Sequence, residues 1–195
     1  EFRNGESGLH VLHINILTQL LLEKLMRKSE NYDLSWSQQH MIATASALHD
    51  IGKIGIDEKI LNKPGKLTKE EFEVMKQHTI IGARMLDSLE MYHDEEMMKY
   101  AYEICRWHHE RYDGKGYPRR IAGEDIPLTA RILCIADSFD AMTSRRCYKK
   151  AFSLEVAREK LLLDAGKQFD PELAYKFVDC LDNGTITLVE SEELQ

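Results

Sequence analysis

Nine residues decide how this chain folds: Ala47-Leu48-His49-Asp50-Ile51-Gly52-Lys53-Ile54-Gly55. Apolar side chains recur at helical spacing up to this stretch, with Met41, Ala45 and Leu48 on one face. That spacing predicts a helix that packs against a core, yet the helix ends in an imidazole, a carboxylate and a lysine. Burying such groups without partners is costly, and a metal ion is the simplest partner for an imidazole beside a carboxylate.

The spacing within the stretch indicates how these groups could share ions. Adjacent helical residues point about 100° apart, because one turn contains about 3.6 residues. His49 and Asp50 therefore need not bind the same ion, and Asp50 could reach between two. Lys53 lies three residues after Asp50, so its charge could project into the same cleft. Alone, a His-Asp pair is more typical of a solvated helix end. Other residues of the chain are therefore needed to distinguish a metal site from such an end.

Composition excludes several classes of protein. The chain has 195 residues, of which 43% are hydrophobic and 30% charged, which is ordinary for a globular domain. No apolar run approaches the length of a membrane span, and no signal peptide is visible at the start. The net charge of −7 argues against binding to DNA or RNA duplexes. The four cysteines form no C-x-x-C pair, so we expect reduced thiols in a cytoplasmic protein.

Periodicity and capping signals predict an all-α protein of about seven helices with almost no sheet. Capping boxes are expected at Ser35 with Gln38 and at Thr68 with Glu71, and Asp94 is expected to cap another helix. The predicted helices cover about residues 7–28, 36–49, 68–89, 95–108, 128–142, 154–165 and 171–181. Residues 1–5 are expected to be an N-terminal extension or a cloning remnant, residues 6–181 one domain, and residues 182–195 an acidic tail.

One helix carries carboxylates that should be buried. The pattern over residues 128–142 is apolar almost all round, which is typical of a helix inside a protein. Asp137 and Asp140 lie on this helix at positions i and i+3 of one face. We therefore expect both carboxylates to lie inside the protein, where each would need a partner.

The unusual polar residues of the helices form one inventory: His10, His49, Asp50, His78, His108, His109 and Asp137. They come from five separate helices, as a metal site in the core of a helical bundle requires. Two pairs, His49 with Asp50 and His108 with His109, are adjacent in sequence. Adjacent side chains point in different directions, which suggests two ions rather than one. Imidazole and carboxylate ligands without cysteine suit iron, manganese, nickel or zinc and favour hydrolysis, because two neighbouring ions can activate hydroxide and bind both oxygens of a phosphate.

Several motifs together resemble those of the HD-GYP family, a bacterial branch of the HD-domain phosphohydrolases. They are His49-Asp50-Ile51-Gly52-Lys53, Lys63-Pro64-Gly65-Lys66-Leu67-Thr68, His78 with Gly82, His108-His109-Glu110, Asp113-Gly114-Lys115-Gly116-Tyr117-Pro118, Ile126-Pro127-Leu128, Ile135-Ala136-Asp137, Phe139-Asp140-Ala141-Met142-Thr143-Ser144 and Phe169-Asp170-Pro171. The resemblance runs from about residue 6 to residue 178. It implies the HD-domain helical bundle with a metal site of two or three ions in its core, iron or manganese first and nickel or zinc as alternatives.

The resemblance also implies roles for individual residues. The metal ligands would be Glu6, His10, His49, Asp50, His78, His108, His109 and Asp137, with Asp50 as the bridge. The catalytic residues would be Asp50, Lys53 and Asp140, and the substrate would contact Lys53, Tyr117, Asp140, Arg146 and Lys149. The chain departs from the family pattern at His13, where arginine is common, and at Arg119-Arg120, where a small residue or glycine is common. His13, His40 and His93 match no motif, so we expect them to be structural or exposed.

The function that the resemblance implies is hydrolysis of cyclic di-GMP to pGpG or GMP by metal-activated hydroxide. One alternative is hydrolysis of another phosphoester, such as cyclic GMP-AMP or a nucleotide. A second alternative is a sensor module that binds cyclic di-GMP without turnover, although the intact ligands and the intact Gly116-Tyr117-Pro118 loop argue against it. Family members usually carry a receiver or sensory domain before this domain, so we expect one in the full-length chain. The sequence leaves a homodimer open.

Overall fold

The chain folds as a bundle of helices in a computed structural model that describes residues 8–28, 32–92, 94–144 and 151–187. Within these ranges there are seven α-helices of ten or more residues and two shorter ones, and no β-strand. This confirms the predicted all-α fold and the number of its main helices. The predicted roles of Glu6, His93, Arg146 and Lys149, and the expected tail beyond residue 187, lie outside the described residues.

The α-helices are numbered in chain order: α1 Gly8–Lys28, α2 Trp36–Ala45, α3 Glu58–Leu61, α4 Lys69–Met75, α5 Gln77–Asp87, α6 Glu96–Trp107, α7 Leu128–Thr143, α8 Leu154–Leu163 and α9 Pro171–Asp182. Single turns of 3-10 helix cover Ser46–Leu48, Ile51–Gly55, Glu90–Tyr92 and Gly123–Asp125. None of the described helices is both long and apolar enough to cross a membrane.

Both predicted capping boxes are confirmed. The hydroxyl of Ser35 accepts from the backbone N–H of Gln38, whose side chain accepts from the backbone N–H of Ser35. Thr68 and Glu71 make the same reciprocal pair at the start of α4. The predicted cap at Asp94 is wrong. The N-cap residue of α6 is Glu95, one residue later, and its side chain makes no capping hydrogen bond.

Two predicted helices are interrupted. The helix expected to run into His49 ends at Ala45, and a 3-10 turn continues it, so His49 and Asp50 lie at the joint between two such turns. Over so few residues an apolar pattern does not distinguish the two kinds of helix, whose turns contain about 3.6 and about 3.0 residues. The helix expected over residues 68–89 is divided at Lys76, which keeps right-handed dihedral angles between α4 and α5.

The core lies where α1, α7 and α9 pack together, with α2 and α6 against them. Helix α7 is buried over most of its length, as its apolar pattern predicted. Phe139 of α7 meets Phe177 of α9 edge to face, with ring centroids 5.0 Å apart. The described cysteines Cys105, Cys134 and Cys180 are buried free thiols, which agrees with the prediction of reduced cysteines.

A buried ion pair joins α7 to the start of α9. Nη1 of Arg131 lies 2.5 Å from Oδ2 of Asp170, and both side chains are less than a tenth exposed. The other carboxylate oxygen of Asp170 accepts from the backbone N–H groups of Glu172 and Leu173, so Asp170 also caps α9. The guanidinium further donates to the carbonyl oxygen of Ile126. This network holds the two helices together at one end.

Candidate metal centre

Two glycines, Gly52 and Gly82, allow the segment that carries His49 and Asp50 to lie directly on α5. A Cβ atom on Gly52 would lie 1.9 Å from the carbonyl oxygen of His78 and 2.4 Å from the backbone nitrogen of Gly82, distances that no side chain can occupy. Backbone therefore packs on backbone at this point. As a result, Oδ1 of Asp50 lies 3.3 Å from Nε2 of His78, although the two residues are far apart in sequence.

The structure brings seven of the predicted site residues together. Two groups of side chains place their ligand atoms within 4.8 Å of one another, and both contain Asp50: Asp50, His78, His108 and His109 form one, and His10, His49 and Asp50 form the other. Oδ1 of Asp137 lies 3.8 Å from Nε2 of His10, so this carboxylate stands beside the second group. The side chain of Asp137 is 24% exposed, less buried than its helix pattern predicted.

The hydrogen bonds of the histidines leave their metal-binding atoms unsatisfied. Nδ1 of His49, His78 and His108 each lies 2.7–2.9 Å from a backbone carbonyl oxygen. A carbonyl oxygen only accepts, so each Nδ1 carries a proton and donates. Within the described part of the chain, these buried atoms have no hydrogen-bond partner: Nε2 of His10, His49, His78 and His108, and Oδ1 of Asp50. Orphaned imidazole nitrogens around a buried carboxylate fit divalent metal ions.

Burial keeps one group of imidazoles neutral. It lowers the pKa of His109 to about 3, places that of His108 well below its ordinary value, and lowers that of His78. Neutral imidazole is the form that binds a metal ion, so these side chains need not lose a proton before binding.

His49 and Asp50 balance one another in the protein without metal. Burial disfavours the charged form of His49, but the negative charge of Asp50, whose Oδ2 lies 3.2 Å from Nε2, raises the pKa of His49 to about 9. Burial likewise disfavours the charged carboxylate, yet His49 and then Lys53 hold the pKa of Asp50 well below its usual range. A proton on His49 thus compensates the buried charge of Asp50, and a bound cation would take over that role.

Lys53 is placed against Asp50, as its spacing predicted. Its Nζ lies 2.6 Å from Oδ2 of Asp50, and the two side chains are 21% and 16% exposed. The 3-10 turn Ile51–Gly55 produces this contact, because residues three apart lie on the same side of such a turn. The ammonium group therefore adds positive charge at the solvent edge of the cluster.

Asp140 lies behind His10 rather than in the wall of the cavity. Its buried carboxylate contacts Nδ1 of His10 and Nδ1 of His13, each at 2.7 Å, and accepts from Ser144 at 2.9 Å. Burial opposes its ionisation, but the hydrogen bonds from His10, His13 and Ser144 lower the pKa of Asp140. His13 was expected only to be structural or exposed. Its position three residues after His10 was the signal for this contact.

A cavity of about 640 Å³ opens beside the cluster. His108, His109, Asp137 and Tyr117 contribute to its wall. Tyr117 reaches this position because Gly116 packs on the preceding backbone: a Cβ atom there would lie 2.6 Å from the carbonyl oxygen of His109. The ring of Tyr117 then stacks on that of His109, with centroids 4.8 Å apart and 29° between the planes.

Glu110 tethers the loop that carries Tyr117, a role that the motif did not reveal. It is 2% exposed, and its Oε1 accepts from the backbone N–H groups of Arg119 and Arg120 at 2.6 and 3.1 Å. Arg120 has a φ angle of 58°, in the left-handed region that favours glycine. The hydrogen bonds to Glu110 hold the backbone at this position.

Comparison with known proteins agrees with this architecture. The family model described as HD domain matches residues 9–173. A 3′3′-cGAMP-specific phosphodiesterase 2 of Vibrio cholerae is 39% identical over 89% of this chain and 31% of its own length. A cyclic di-GMP phosphodiesterase of Thermotoga maritima is 42% identical over 91% of this chain and 45% of its own. The cyclic di-GMP phosphodiesterase response regulator RpfG of Xanthomonas campestris is 38% identical over 96% and 46%.

The solved structures support the fold. An HDG"Y"P protein from Bdellovibrio bacteriovorus superposes with a TM-score of 0.65 at 20% identity, over 89% of this chain and 51% of that one. The chain spans less than half the length of the curated relatives named above. The matched family model, the motifs around His49-Asp50 and Gly116-Tyr117-Pro118, and the helical bundle agree with one another. This chain belongs to the HD-domain family and, within it, to the HD-GYP branch.

Proposed function

We propose that this chain is the catalytic part of a metal-dependent phosphodiesterase that hydrolyses cyclic di-GMP to pGpG or GMP. The observation that carries the proposal is the pair of ligand groups that share Asp50 beside an open cavity. Relatives named as phosphodiesterases of cyclic di-GMP and of 3′3′-cGAMP support a cyclic dinucleotide as the substrate.

The metal ligands in this proposal are those that the motifs predicted: Glu6, His10, His49, Asp50, His78, His108, His109 and Asp137. They would hold two or three divalent ions, with iron or manganese as the first choice. When bound, such ions supply an activated water molecule at neutral pH and neutralise charge on the phosphate oxygens. The backbone carbonyl groups behind His49, His78 and His108 fix the tautomer and the ring orientation that ligation needs.

Polar residues around the ligands would handle the substrate. Lys53 would donate to an oxygen of the scissile phosphate and assist the leaving oxygen, since its ammonium group lies at the edge of the cluster. Asp140 would keep the proton of His10 on Nδ1, which leaves Nε2 for the metal. Burial first, and then the charges of Asp50 and Asp137, raise the pKa of Tyr117, so its hydroxyl keeps its proton at neutral pH and can donate to the substrate. Arg146 and Lys149 are proposed phosphate contacts on the strength of the motif alone.

One assay tests this function. The reduced, metal-loaded protein is incubated with cyclic di-GMP, with 3′3′-cGAMP and with linear nucleotides, and the products are identified by chromatography. We expect cyclic di-GMP to give pGpG or GMP. Hydrolysis of linear nucleotides alone would contradict a cyclic dinucleotide as the substrate. Binding of cyclic di-GMP without any product would identify a sensor module instead.

A second candidate substrate is 3′3′-cGAMP. The observation in its favour is the relative named as specific for this molecule, which is 39% identical over 89% of the chain. Its two bases differ, whereas those of cyclic di-GMP are the same, so the comparison of kcat/KM for the two substrates decides between them. A clear preference for 3′3′-cGAMP would replace cyclic di-GMP in the proposal and leave the metal centre as described.

A further inference from the structure

The rings of Phe72 and Tyr117 form an aromatic corner in the wall of the cavity. Phe72 of α4 lines the cavity and is 43% exposed. Its ring meets that of Tyr117 edge to face, with centroids 6.2 Å apart and planes 83° apart. Nothing in the sequence motifs assigns a role to Phe72.

A lysine ammonium group stands against both rings of this corner. Nζ of Lys76 lies 5.0 Å from the ring centroid of Phe72 and 5.5 Å from that of Tyr117. Such cation–π contacts hold the rings in place and leave an ammonium group beside an apolar surface. Lys76 also pairs with Glu73 at 2.6 Å, so the corner is ordered by contacts within α4 and its junction with α5.

The geometry favours Phe72 as the ring on which a planar group can lie, on the face opposite the ammonium group of Lys76. One face of Tyr117 is already stacked on His109, and Tyr117 is only partly exposed. Because the two rings are perpendicular, a flat ligand can lie parallel to only one of them. Two ring-to-ring steps, of 4.8 and 6.2 Å, lead from the metal ligand His109 through Tyr117 to Phe72.

We propose that Phe72 is the stacking platform for a purine base of the substrate, whose phosphate lies at the metal centre. This inference rests on the proposed function and adds the residue that binds the base. Stacking on an aromatic side chain is tolerant of base identity, because every base has a flat face. Phe72 would therefore strengthen the binding of any cyclic purine dinucleotide and would not by itself distinguish guanine from adenine.

The test compares two ligands that differ only by the base. GMP and ribose 5-phosphate are titrated by calorimetry into the manganese-loaded protein and its variants. Phe72→Ala is expected to weaken the binding of GMP about tenfold to hundredfold and to leave that of ribose 5-phosphate unchanged. Phe72→Trp should retain the affinity for GMP, since indole provides an equal or larger stacking surface.

Val74 provides the matched control. It lies on the same helix, is 42% exposed and is not part of the cavity wall. Val74→Ala should change neither affinity. If wild type hydrolyses cyclic dinucleotides but Phe72→Ala binds GMP as wild type does, or loses ribose 5-phosphate equally, the platform is refuted and the function stands. If wild type hydrolyses no cyclic dinucleotide, the proposed function fails and the inference fails with it.

Discussion

At the scale of single residues, the site depends as much on glycines as on ligands. His49 and Asp50 meet His78 because Gly52 allows two backbones to touch. The sequence motif identified the ligands themselves, but not the neighbours that orient them. His13 and Glu110 act through contacts with Asp140 and with a loop backbone. The spacing of three residues from His10 was a signal for the first contact, whereas no local spacing indicates the second.

Replacement of Gly52 should show how much the site depends on this close approach. In Gly52→Ala the new methyl group would lie 1.9 Å from a backbone oxygen, so the segment carrying Asp50 must move away from α5. We expect the free energy of unfolding to fall by about 1–3 kcal/mol or more, as for other overpacked sites, and metal affinity to fall with it. Urea denaturation and metal titration measure the two effects.

Gly55→Ala is the control for this substitution. A methyl group at Gly55 would meet only the side chain of Ile81, at 2.9 Å from Cγ2, and a side chain can turn aside. The effect on stability should be clearly smaller. Equal losses in the two variants would show that the contact between the backbones of the 3-10 turn and α5 has no special importance.

Lys53 should affect turnover far more than metal binding. In Lys53→Ala the proposed contact to the phosphate is lost, and such charge-assisted contacts are worth about 1.5–3 kcal/mol. We expect kcat/KM for cyclic di-GMP to fall roughly tenfold to hundredfold while the metal content stays near that of wild type. Lys59→Ala, on the exposed surface of α3, is the control and should behave as wild type. Unchanged kinetics in Lys53→Ala would remove this residue from the substrate site.

At the scale of helices, local signals predicted most of the ends and some were misleading. The capping boxes at Ser35 and Thr68 act over three residues, so the sequence alone is sufficient to find them. The ends at Ala45 and Lys76 depend on how α5 and the 3-10 turns pack against each other, which no local pattern encodes. Packing between helices also determines which ion pairs are buried.

The ion pair between Arg131 and Asp170 should contribute far more to the free energy of unfolding than an ion pair on the surface. Asp170→Ala would leave the buried guanidinium without its carboxylate and would remove the cap of α9, so we expect a loss of about 3–5 kcal/mol in the free energy of unfolding. Asp182→Ala removes the carboxylate of an exposed, bidentate pair with Arg158 and should cost no more than about 1 kcal/mol. Thermal and urea unfolding compare the variants, and similar losses in both would contradict this ranking.

At the scale of the whole molecule, the sequence alone could not predict that the ligands converge. They lie on α1, α5 and α7, at the joint after α2 and directly after the end of α6, and only the tertiary packing brings these elements to one point. The spacing of residues gave candidate ligands, and the resemblance to the HD-GYP family supplied the expectation that they meet. The division of the ligands into two groups that share Asp50 predicts how substitutions change the metal content of the whole protein.

The two groups should lose metal separately. His10→Ala removes a ligand from one group and His78→Ala from the other, so each variant should lose about one equivalent of metal, whereas Asp50→Asn should lose most of both. The loss should also lower the metal-induced rise in the unfolding temperature, because an ion that binds only the folded state stabilises it by mass action. His40→Ala, an exposed histidine stacked on Trp36, should match wild type in both measurements. Elemental analysis of the variants after identical metal loading measures these losses. Equal metal content in His10→Ala and wild type would show that the group of His10, His49 and Asp50 binds no ion of its own.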